Sequence, residues 1–241
     1  HFEKMLYDQA THLHAYAEAF AATGKAVYAD TAREVARYVL RDLTSEQGGF
    51  FCGEDADSEG EEGTFYVWRL SEPGKILSGP DLELVRAVYG LTEEGNFREE
   101  ATGKRTGANV LHAEKGWSEA ARELGQDTDG LQDRVEGIRD ALFAAREKRP
   151  RPELDDKVLT DWNGLMIGAL ARAGSLLGED SLLEAAERAV RFLRNGPAAD
   201  PENLLHRYRN GESGIEGFAD DYAFLAWGLL ECHRGTGREE Y

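Results

Sequence analysis

One segment pattern occurs three times in this chain, and it constrains the fold more than any other feature. Asp8 stands 16 residues before Gly24, and Asp221 stands 16 residues before Gly237. Trp162 begins a third copy with the same spacing to a glycine. Each copy is an apolar stretch of helical period that ends at glycine, a common residue at helix C-termini. The repeat predicts helix-turn-helix units that bury their apolar faces only by stacking on neighbours.

The closed arrangement of such units is a toroid with an inner and an outer ring of helices. We therefore predict an all-α fold, a toroid of helical hairpins with short β-hairpin excursions in its loops. We expect one domain over residues 1–241, with an irregular insert at about 90–117. In a toroid the inner helices are parallel, so their N-termini and the loops before them share one mouth. That mouth is the expected functional site.

The charge balance argues against two classes of partner. Acidic residues outnumber basic ones 46 to 28, which gives a net charge of −18. Such a field repels a phosphate backbone and an anionic membrane surface, so we expect neither nucleic acid nor membrane as a partner. No apolar run approaches the ~18 residues of a membrane span, and the chain does not begin like a signal peptide. Cys52 and Cys232 lack metal-binding spacing and suit a reducing compartment, so we expect a cytoplasmic location.

Two loop regions have strand character. Aromatic and β-branched runs at 48–52 and 64–68 flank an acidic, glycine-rich loop, and 204–211 resembles another short hairpin. In the acidic loop, Asp55, Asp57 and Glu59 imitate the start of a calcium-binding loop. The imitation fails because Tyr66 occupies the position of the bidentate glutamate and no helix follows. A substrate-facing loop and a solvated acidic turn both remain open, and we predict no metal site.

The start of the middle repeat carries the residues best suited to chemistry. Asp161, Trp162 and Asn163 open the helix, and Asp156 precedes them. Paired carboxylates can act as acid and base when burial separates their pKa values, and an aromatic ring beside polar groups suits a sugar. Acids at a helix start can equally be caps that satisfy free N–H groups, a reading that also applies to Asp8 and Asp221. Asp156 beside Lys157 also fits a simple ion pair.

Histidines supply the other candidates. His1, His112 and His206 lie on segments assigned to the mouth, and imidazole titrates in the range needed for proton abstraction beside a carbonyl. The candidate catalytic residues are Asp161, His1 and His206. The candidate substrate-binding residues are Glu3, Asp55, Asp57, Asp156, Trp162, Asn163, Asp221 and Tyr222. No P-loop, GxGxxG, GxSxG or HExxH motif occurs, so we expect no cofactor and no nucleotide or zinc-protease chemistry.

Four stretches together carry a family resemblance. HFEKMLYD at 1–8, DADSEGEEG at 55–63 with FYVW at 65–68, GNF at 95–97 with NVL at 109–111, and DDKVLTDWNGL at 155–165 resemble the spermatogenesis-associated protein 20 family. The resemblance spans essentially the whole chain. It implies an N-terminal thioredoxin-like domain followed by a six-hairpin toroid related to N-acylglucosamine 2-epimerases and six-hairpin glycosidases. The resemblance thus makes the predicted fold an incomplete (α/α)6 toroid, of which the chain would hold the middle. The absent thioredoxin-like domain would be its partner in the same polypeptide.

The resemblance implies a small-molecule carbohydrate as substrate. The first hypothesis is a sugar epimerase or isomerase in which histidines move the proton. Its glycosidase variant needs two carboxylates, ~5–5.5 Å apart if retaining and ~6.5–9.5 Å apart if inverting. The second hypothesis is a non-catalytic sugar-binding or scaffold module in which every acid is a cap or surface group. A third is an open α-solenoid that binds protein.

Overall fold

The computed structural model describes residues 2–99, 102–113, 115–200 and 202–241. The described chain contains eight α-helices and ten short strands, in the order β1 (Lys4–Met5), α1 (Leu6–Thr23), α2 (Ala26–Asp42), β2 (Gly53–Glu54), β3 (Asp57–Ser58), β4 (Glu61–Glu62), β5 (Trp68–Arg69), α3 (Gly79–Tyr89), β6 (Ala108–Asn109), α4 (Trp117–Leu124), α5 (Thr128–Arg146), β7 (Leu154–Asp155), β8 (Val158–Leu159), α6 (Thr160–Leu177), α7 (Asp180–Arg194), β9 (Leu205–Arg209), β10 (Glu212–Glu216) and α8 (Ala219–Thr236). None of these helices combines the length and apolar character needed to cross a membrane.

The chain divides into two compact units. Glu3–Asp55 and Leu154–Tyr241 form the hairpin unit, and Ala56–Glu153 with Phe2 form the insert unit. The irregular stretch expected at about 90–117 lies within the insert unit, which extends well beyond it on both sides. The expectation of a single domain over 1–241 stays a prediction.

The repeated helices of the hairpin unit follow the sequence repeat. Helices α1, α6 and α8 are each 18 residues long, and each ends at a glycine in the left-handed conformation. These glycines, Gly24, Gly178 and Gly237, have φ values of 66°, 70° and 69°. Because left-handed backbone is least costly for glycine, the same residue stops each helix at the same distance from its start.

The three repeated helices are parallel. Near the start of α1, the ring of Tyr7 meets that of Trp162 in α6 at 4.9 Å. Further along, Arg172 Nε of α6 lies 2.6 Å from a carboxylate oxygen of Glu18 in α1. The start of α8 lies beside the start of α6, because Oδ1 of Asp221 accepts a hydrogen bond from the Asp161 N–H at 2.9 Å. The three helix starts therefore share one end of the unit, as predicted.

Glycines allow α6 and α8 to approach closely. A Cβ added at Gly164 would lie 2.5 Å from the backbone nitrogen of Leu225, and one added at Gly168 would lie 2.4 Å from the ring of Trp227. Both distances are shorter than side-chain atoms tolerate. Glycine is thus required where the helices touch backbone to backbone, because any Cβ would push them apart.

Outer helices complete two hairpins. Helix α2 follows α1 after Gly24-Lys25, and α7 follows α6 after Gly178-Glu179. Apolar side chains of all five helices form one core, which includes Leu6, Leu13, Val39, Met166, Leu170, Val190, Leu193 and Leu225. The predicted fold class is confirmed: the protein is mostly helical, with small sheets in its loops, and the hairpins α1–α2 and α6–α7 with the inner helix α8 form an incomplete (α/α)6 toroid.

Two small sheets lie at the shared end. One has the order β1-β2-β7 and joins the segments that precede α1 and α6. The other has the order β10-β9-β8 and joins the entrance of α6 to the hairpin before α8. That hairpin turns at Asn210 and Gly211, with φ values of 53° and 85°, as a two-residue type I′ turn requires. The hairpin expected at 204–211 is confirmed and extends to Glu216.

The insert unit has a separate core. Trp68, Val85, Leu131, Val135 and Leu142 are buried together where α3 and α4 pack with α5. The acidic loop is a β-hairpin: β3 pairs with β4, and Glu59 and Gly60 turn the chain with φ values of 57° and 82°. The alternating acids of this loop thus belong to a tight turn and its two strands. Helix α4 was not predicted.

Candidate functional site

Three ionisable side chains of the hairpin unit converge at the mouth. Asp161 comes from the start of α6, Asp221 from the start of α8, and His206 from β9. One oxygen or nitrogen atom of each lies within 4.8 Å of the others. The parallel helices place the two aspartates side by side, and the β8–β9 pairing places the histidine over them.

Asp221 is the organising group of this site. It is the third residue of α8 and is fully buried. Its Oδ1 accepts the Asp161 N–H at 2.9 Å, and its Oδ2 accepts the Phe218 N–H at 2.7 Å, which closes a capping interaction at its own helix. One carboxylate therefore caps α8 and ties the start of α6 to it. Helix capping is therefore part of the role of Asp221, and His206 is its third hydrogen-bond partner.

His206 forms a dyad with Asp221. Its Nδ1 lies 3.0 Å from Oδ1 and 3.1 Å from Oδ2. Because carboxylate oxygens accept hydrogen bonds, Nδ1 carries the proton and Nε2 presents its lone pair. The imidazole side chain is 17% exposed, and the ring of Phe218 meets it edge-on at 5.0 Å. The histidine is thus held in one tautomer and one orientation, with a nitrogen left for chemistry.

Asp161 lies in a half-buried position beside this dyad. Burial raises the pKa of its carboxyl group above the ordinary value, and the charge of Asp221 raises it further. The Trp162 N–H, which donates to Asp161 Oδ1 at 2.8 Å, opposes this shift, as does His206. Desolvation and a like charge favour the protonated acid. The site therefore pairs an oriented imidazole with a carboxyl group that retains its proton to higher pH.

The same three side chains have the spacing of a metal-binding group. Two carboxylates and an imidazole can hold a divalent cation when their lone pairs are free. Here the Asp221 oxygens already accept two backbone N–H groups and the Nδ1 proton of His206. A cation would have to displace these donors. The observed contacts fit a histidine–aspartate dyad better than a metal centre.

Aromatic side chains border the site. Trp162 packs edge-on against Tyr7, which is 37% exposed, and Phe218 is 58% exposed beside His206. The hydroxyl of Tyr222 accepts the Leu204 N–H at 3.1 Å, while its ring is 41% exposed. Exposed ring faces next to polar groups provide apolar surfaces of the kind on which sugar rings can stack.

Asn163 has a structural position. It is fully buried, and its amide exchanges two hydrogen bonds with the backbone of Phe50, at 2.8 Å to the N–H and 2.9 Å to the carbonyl. A third bond of 2.9 Å reaches the Leu159 carbonyl. The side chain therefore fastens the chain after α2 to the start of α6. Its proposed contact with substrate stays a prediction.

The remaining predicted residues are distributed more widely. Asp156 pairs with Arg209 at 2.6 Å, and Lys157 pairs with Asp155 at 2.8 Å. The ion pair considered for Asp156 and Lys157 was therefore wrong, because adjacent residues of extended chain point to opposite sides. Glu3 and Asp55 are exposed in the hairpin unit, whereas Asp57 lies on β3 of the insert unit.

Two other histidine candidates are not members of the dyad. His112 belongs to the insert unit, where its Nδ1 meets the Val110 carbonyl at 3.1 Å. His1 lies outside the described residues. The sequence analysis did not identify Phe218, whose N–H and ring contact both members of the dyad. Its position three residues before Asp221 is the signal of a capping interaction, but phenylalanine is not a usual cap residue.

Comparison with known proteins finds relatives that match nearly the whole of this chain. The chain is 36% identical over 262 residues to human spermatogenesis-associated protein 20, and the match covers 98% of this chain and 33% of that protein. The mouse protein of the same name is 34% identical over the same length. The chain is thus similar to one segment of spermatogenesis-associated protein 20 and spans about a third of the length of these curated relatives. An uncharacterised protein of Caenorhabditis elegans is 29% identical over 268 residues, and the match covers all of this chain and 36% of the nematode protein.

Other comparisons add little. No protein-family model matches the segment. Among solved structures, cellobiose 2-epimerase from Spirochaeta thermophila DSM 6192 is 14% identical, covers 96% of the segment and 71% of that chain, and gives a TM-score of 0.29. A sugar epimerase from a ruminal bacterium is 12% identical, covers 97% of the segment and 72% of that chain, and gives a TM-score of 0.31. Superpositions this weak carry no inference about this chain.

Proposed function

We propose that this segment carries a carbohydrate-directed acid–base site, and that it isomerises or epimerises a sugar by proton transfer at the carbon beside a carbonyl. The observation that carries the proposal is the His206–Asp221 dyad, with Nδ1 at 3.0 and 3.1 Å from the two carboxylate oxygens. The family resemblance supports a carbohydrate as substrate, and the aromatic rings at the mouth offer surfaces on which a sugar could stack.

In this proposal His206 is the general base. Its Nε2 removes the proton from the carbon, while Asp221 fixes the tautomer and stabilises the imidazolium that forms. The electron pair of the C–H bond moves towards the carbonyl oxygen and gives an enediol. Proton transfer by an oriented imidazole contributes typically 10²–10⁴-fold to such reactions, roughly the range expected here.

Asp161 supplies the acid. A carboxyl group whose pKa is raised by burial can protonate the carbonyl oxygen as negative charge develops on it. His206 then returns its proton to the former carbonyl carbon, and the neighbouring hydroxyl gives its proton to the Asp161 carboxylate as it becomes the new carbonyl, which yields an isomer and restores both groups. Epimerisation needs a second donor on the opposite face of the carbon, and His1 remains our candidate for that role.

The contacts of Asp221 disfavour the glycosidase variant. A glycosidase needs two carboxylates that both reach the substrate. Asp221 is fully buried, and its oxygens accept two backbone N–H groups and the imidazole. Only Asp161 of this pair would face a ligand. A non-catalytic sugar-binding module remains the alternative, since capping accounts for part of the Asp221 contacts.

We extend the proposal to the setting of the site. Both cysteines are free and buried, which suits a reducing compartment and supports a cytoplasmic location. The curated relatives are about three times as long as this chain, which leaves room for the thioredoxin-like domain implied by the resemblance. That domain would be a partner in the same polypeptide.

The test is proton exchange on unmodified sugars. The protein is incubated with a panel of aldoses and ketoses in deuterated water, and products are identified by NMR. We expect solvent deuterium at a single carbon, reduced about 100-fold or more by His206→Gln. His233→Gln, which changes an exposed histidine in the last turn of α8, is the matched control. Release of a new reducing end without incorporation of deuterium would show that the reaction is hydrolysis and would contradict the proposal. Binding of a sugar without proton exchange would support only the non-catalytic sugar-binding module.

A further inference from the structure

A second cavity of the hairpin unit lies outside the proposed acid–base site. It has a volume of about 630 Å³ and is bordered by the C-terminal half of α7, the loop after α2 and strand β9. Arg188, Arg191 and Asn195 line it from α7 and its end, and Gln47 and Tyr208 line the other sides.

The walls of the cavity are built by close packing. A Cβ at Gly49 would lie 2.4 Å from the Phe192 ring, and one at Gly48 would lie 3.3 Å from Arg188. Glycine at these positions lets the loop lie directly on α7. The ring of Tyr208 meets that of Phe192 at 5.0 Å and 90°. These contacts hold the loop, the strand and the helix together around the opening.

The polar groups of the cavity are hydrogen-bond donors. The Tyr208 hydroxyl donates to Gln47 Oε1 at 3.2 Å, so the Gln47 amide nitrogen keeps both of its protons for another partner. Among the described residues, neither Arg188 nor Arg191 forms an ion pair. Other arginines of the same unit do: Arg33 pairs with Glu179 at 2.6 Å, and Arg209 pairs with Asp156 at 2.6 Å.

The helix dipole explains only part of this arrangement. Cations near a helix C-terminus are favourable, but the effect is confined to the last turn. Arg191 and Arg194 lie in the last turn of α7, whereas Arg188 lies a full turn earlier. Two guanidinium groups on one face of the helix, with amide donors opposite, therefore need a further reason.

We propose that this cavity binds an anion with several oxygen acceptors, of the phosphate or phosphate-monoester class. No acidic side chain is among the lining residues that the structure describes, although the whole chain carries a net charge of −18. An anion can approach a protein of negative net charge where the local surface is positive. Planar guanidinium groups bind phosphate oxygens with paired, directional hydrogen bonds.

The cavity is connected to the dyad through β9. Tyr208 and His206 are two residues apart on the same strand, so their side chains leave the same face about 7 Å apart. A sugar phosphate could therefore place its phosphate by the arginines and its sugar towards His206. The sugar-phosphate identity rests on the proposed function, whereas the anion site does not.

Calorimetric titration with inorganic phosphate tests the site. We expect saturable binding that weakens about tenfold in Arg188→Gln and in Arg191→Gln, and becomes undetectable in the double variant. Arg194→Gln removes the same charge from the same helix outside the cavity and should change affinity less than twofold. Arg188 and Arg191 are exposed, so thermal unfolding of their variants should be unchanged. Absence of saturable binding, or equal binding by the double variant, would overturn the proposal.

Two further arms identify the source of the anion. A hexose 6-phosphate that binds at least tenfold tighter than inorganic phosphate would support a sugar phosphate, and equal affinities would support the free anion. An unphosphorylated hexose that binds in the same arginine-dependent way would overturn the anion proposal. Deuterium exchange is measured separately, so failure of the acid–base site is distinguishable from failure of this one.

Discussion

Ile215 occupies the position on β10 that corresponds to His206 on β9, between the pairs Arg207–Gly214 and Leu205–Glu216, and its φ is 66°. A β-branched residue rarely adopts left-handed backbone, which costs about 1–2 kcal/mol for an L-residue. Strain of this kind persists only where surrounding contacts impose it, and it is common at functional sites.

The strain at Ile215 predicts an unusual response to glycine. Ile215→Gly should leave the free energy of unfolding unchanged or raise it by up to about 1 kcal/mol, because relief of strain offsets the flexibility of glycine. Ser213→Gly, two residues away on the same strand with ordinary backbone, should lower it by about 0.5–1 kcal/mol. Urea denaturation measures both values. Equal losses in the two variants would show that Ile215 stores no strain.

Removal of the buried charge at Asp221 should be costly. Asp221→Asn replaces an acceptor with an amide that faces an N–H donor, so we expect a loss of about 2–4 kcal/mol in the free energy of unfolding. Asp220→Asn is the control, since Asp220 is the exposed neighbour in the same helical turn, and it should change stability by less than about 0.5 kcal/mol. Similar effects of the two changes would contradict the described hydrogen bonds.

The close approach of α6 and α8 can be tested with one methyl group. Gly164→Ala would place a carbon 2.5 Å from the backbone of Leu225, and we expect a loss of about 2–3 kcal/mol because backbone cannot move aside. Gly137→Ala in α5 meets nothing within 4 Å and should stabilise by up to about 1 kcal/mol through helix propensity. Thermal unfolding of both variants gives the signs. A neutral Gly164→Ala would mean that the helices are further apart.

The raised pKa of Asp161 predicts a pH dependence with a definite sign. The folded protein retains this proton at pH values where the unfolded chain, near its ordinary 3.8, has lost it. The contribution of Asp161 to stability therefore falls as pH rises from 3.8 through the raised value. Asp161→Asn removes this loss, so its stability relative to the native protein should increase from pH 3 to pH 7.

Asp200 provides the opposite case. Hydrogen bonds from Asn203 and the Glu202 N–H lower the pKa of its carboxyl group. Its charged form is therefore favoured in the folded protein, and Asp200→Asn should lose relative stability as pH rises over the same range. Denaturation of both variants at several pH values measures the two slopes. Slopes of the same sign would contradict the assignment for Asp161.

Local patterns predicted the helical part of the fold well. Helix period and a terminal glycine depend on neighbouring residues alone, so Gly24, Gly178 and Gly237 were each identified as helix stops. The parallel direction of α1, α6 and α8 followed from the repeat. The division of the chain at Asp55 and Leu154 was not predicted, because it depends on which apolar faces pair, and helices in both units have similar patterns.

Asp161, His206 and Asp221 were all among the predicted site residues, but the contacts between them were not predicted. A helix start was enough to select Asp161 and Asp221. The partner of Asp221 depends on the register of the β9–β10 hairpin, which places His206 beside it, and register is set by tertiary packing and turn geometry. Asn163 shows the converse difficulty, since a polar residue at a helix start gave no sign that the backbone of Phe50 would occupy its amide.

The antiparallel pairing of β2 with β7 has an evolutionary consequence. Gly53 lies opposite Asp155 and Glu54 opposite Leu154. The chain therefore leaves the hairpin unit and returns to it at neighbouring positions of one β-ladder. Segments spliced between those points can lengthen, shorten or be exchanged without altering the spacing of the helices that hold Asp161 and Asp221. The hairpin architecture thus tolerates accessory modules at this position while its chemistry stays in place.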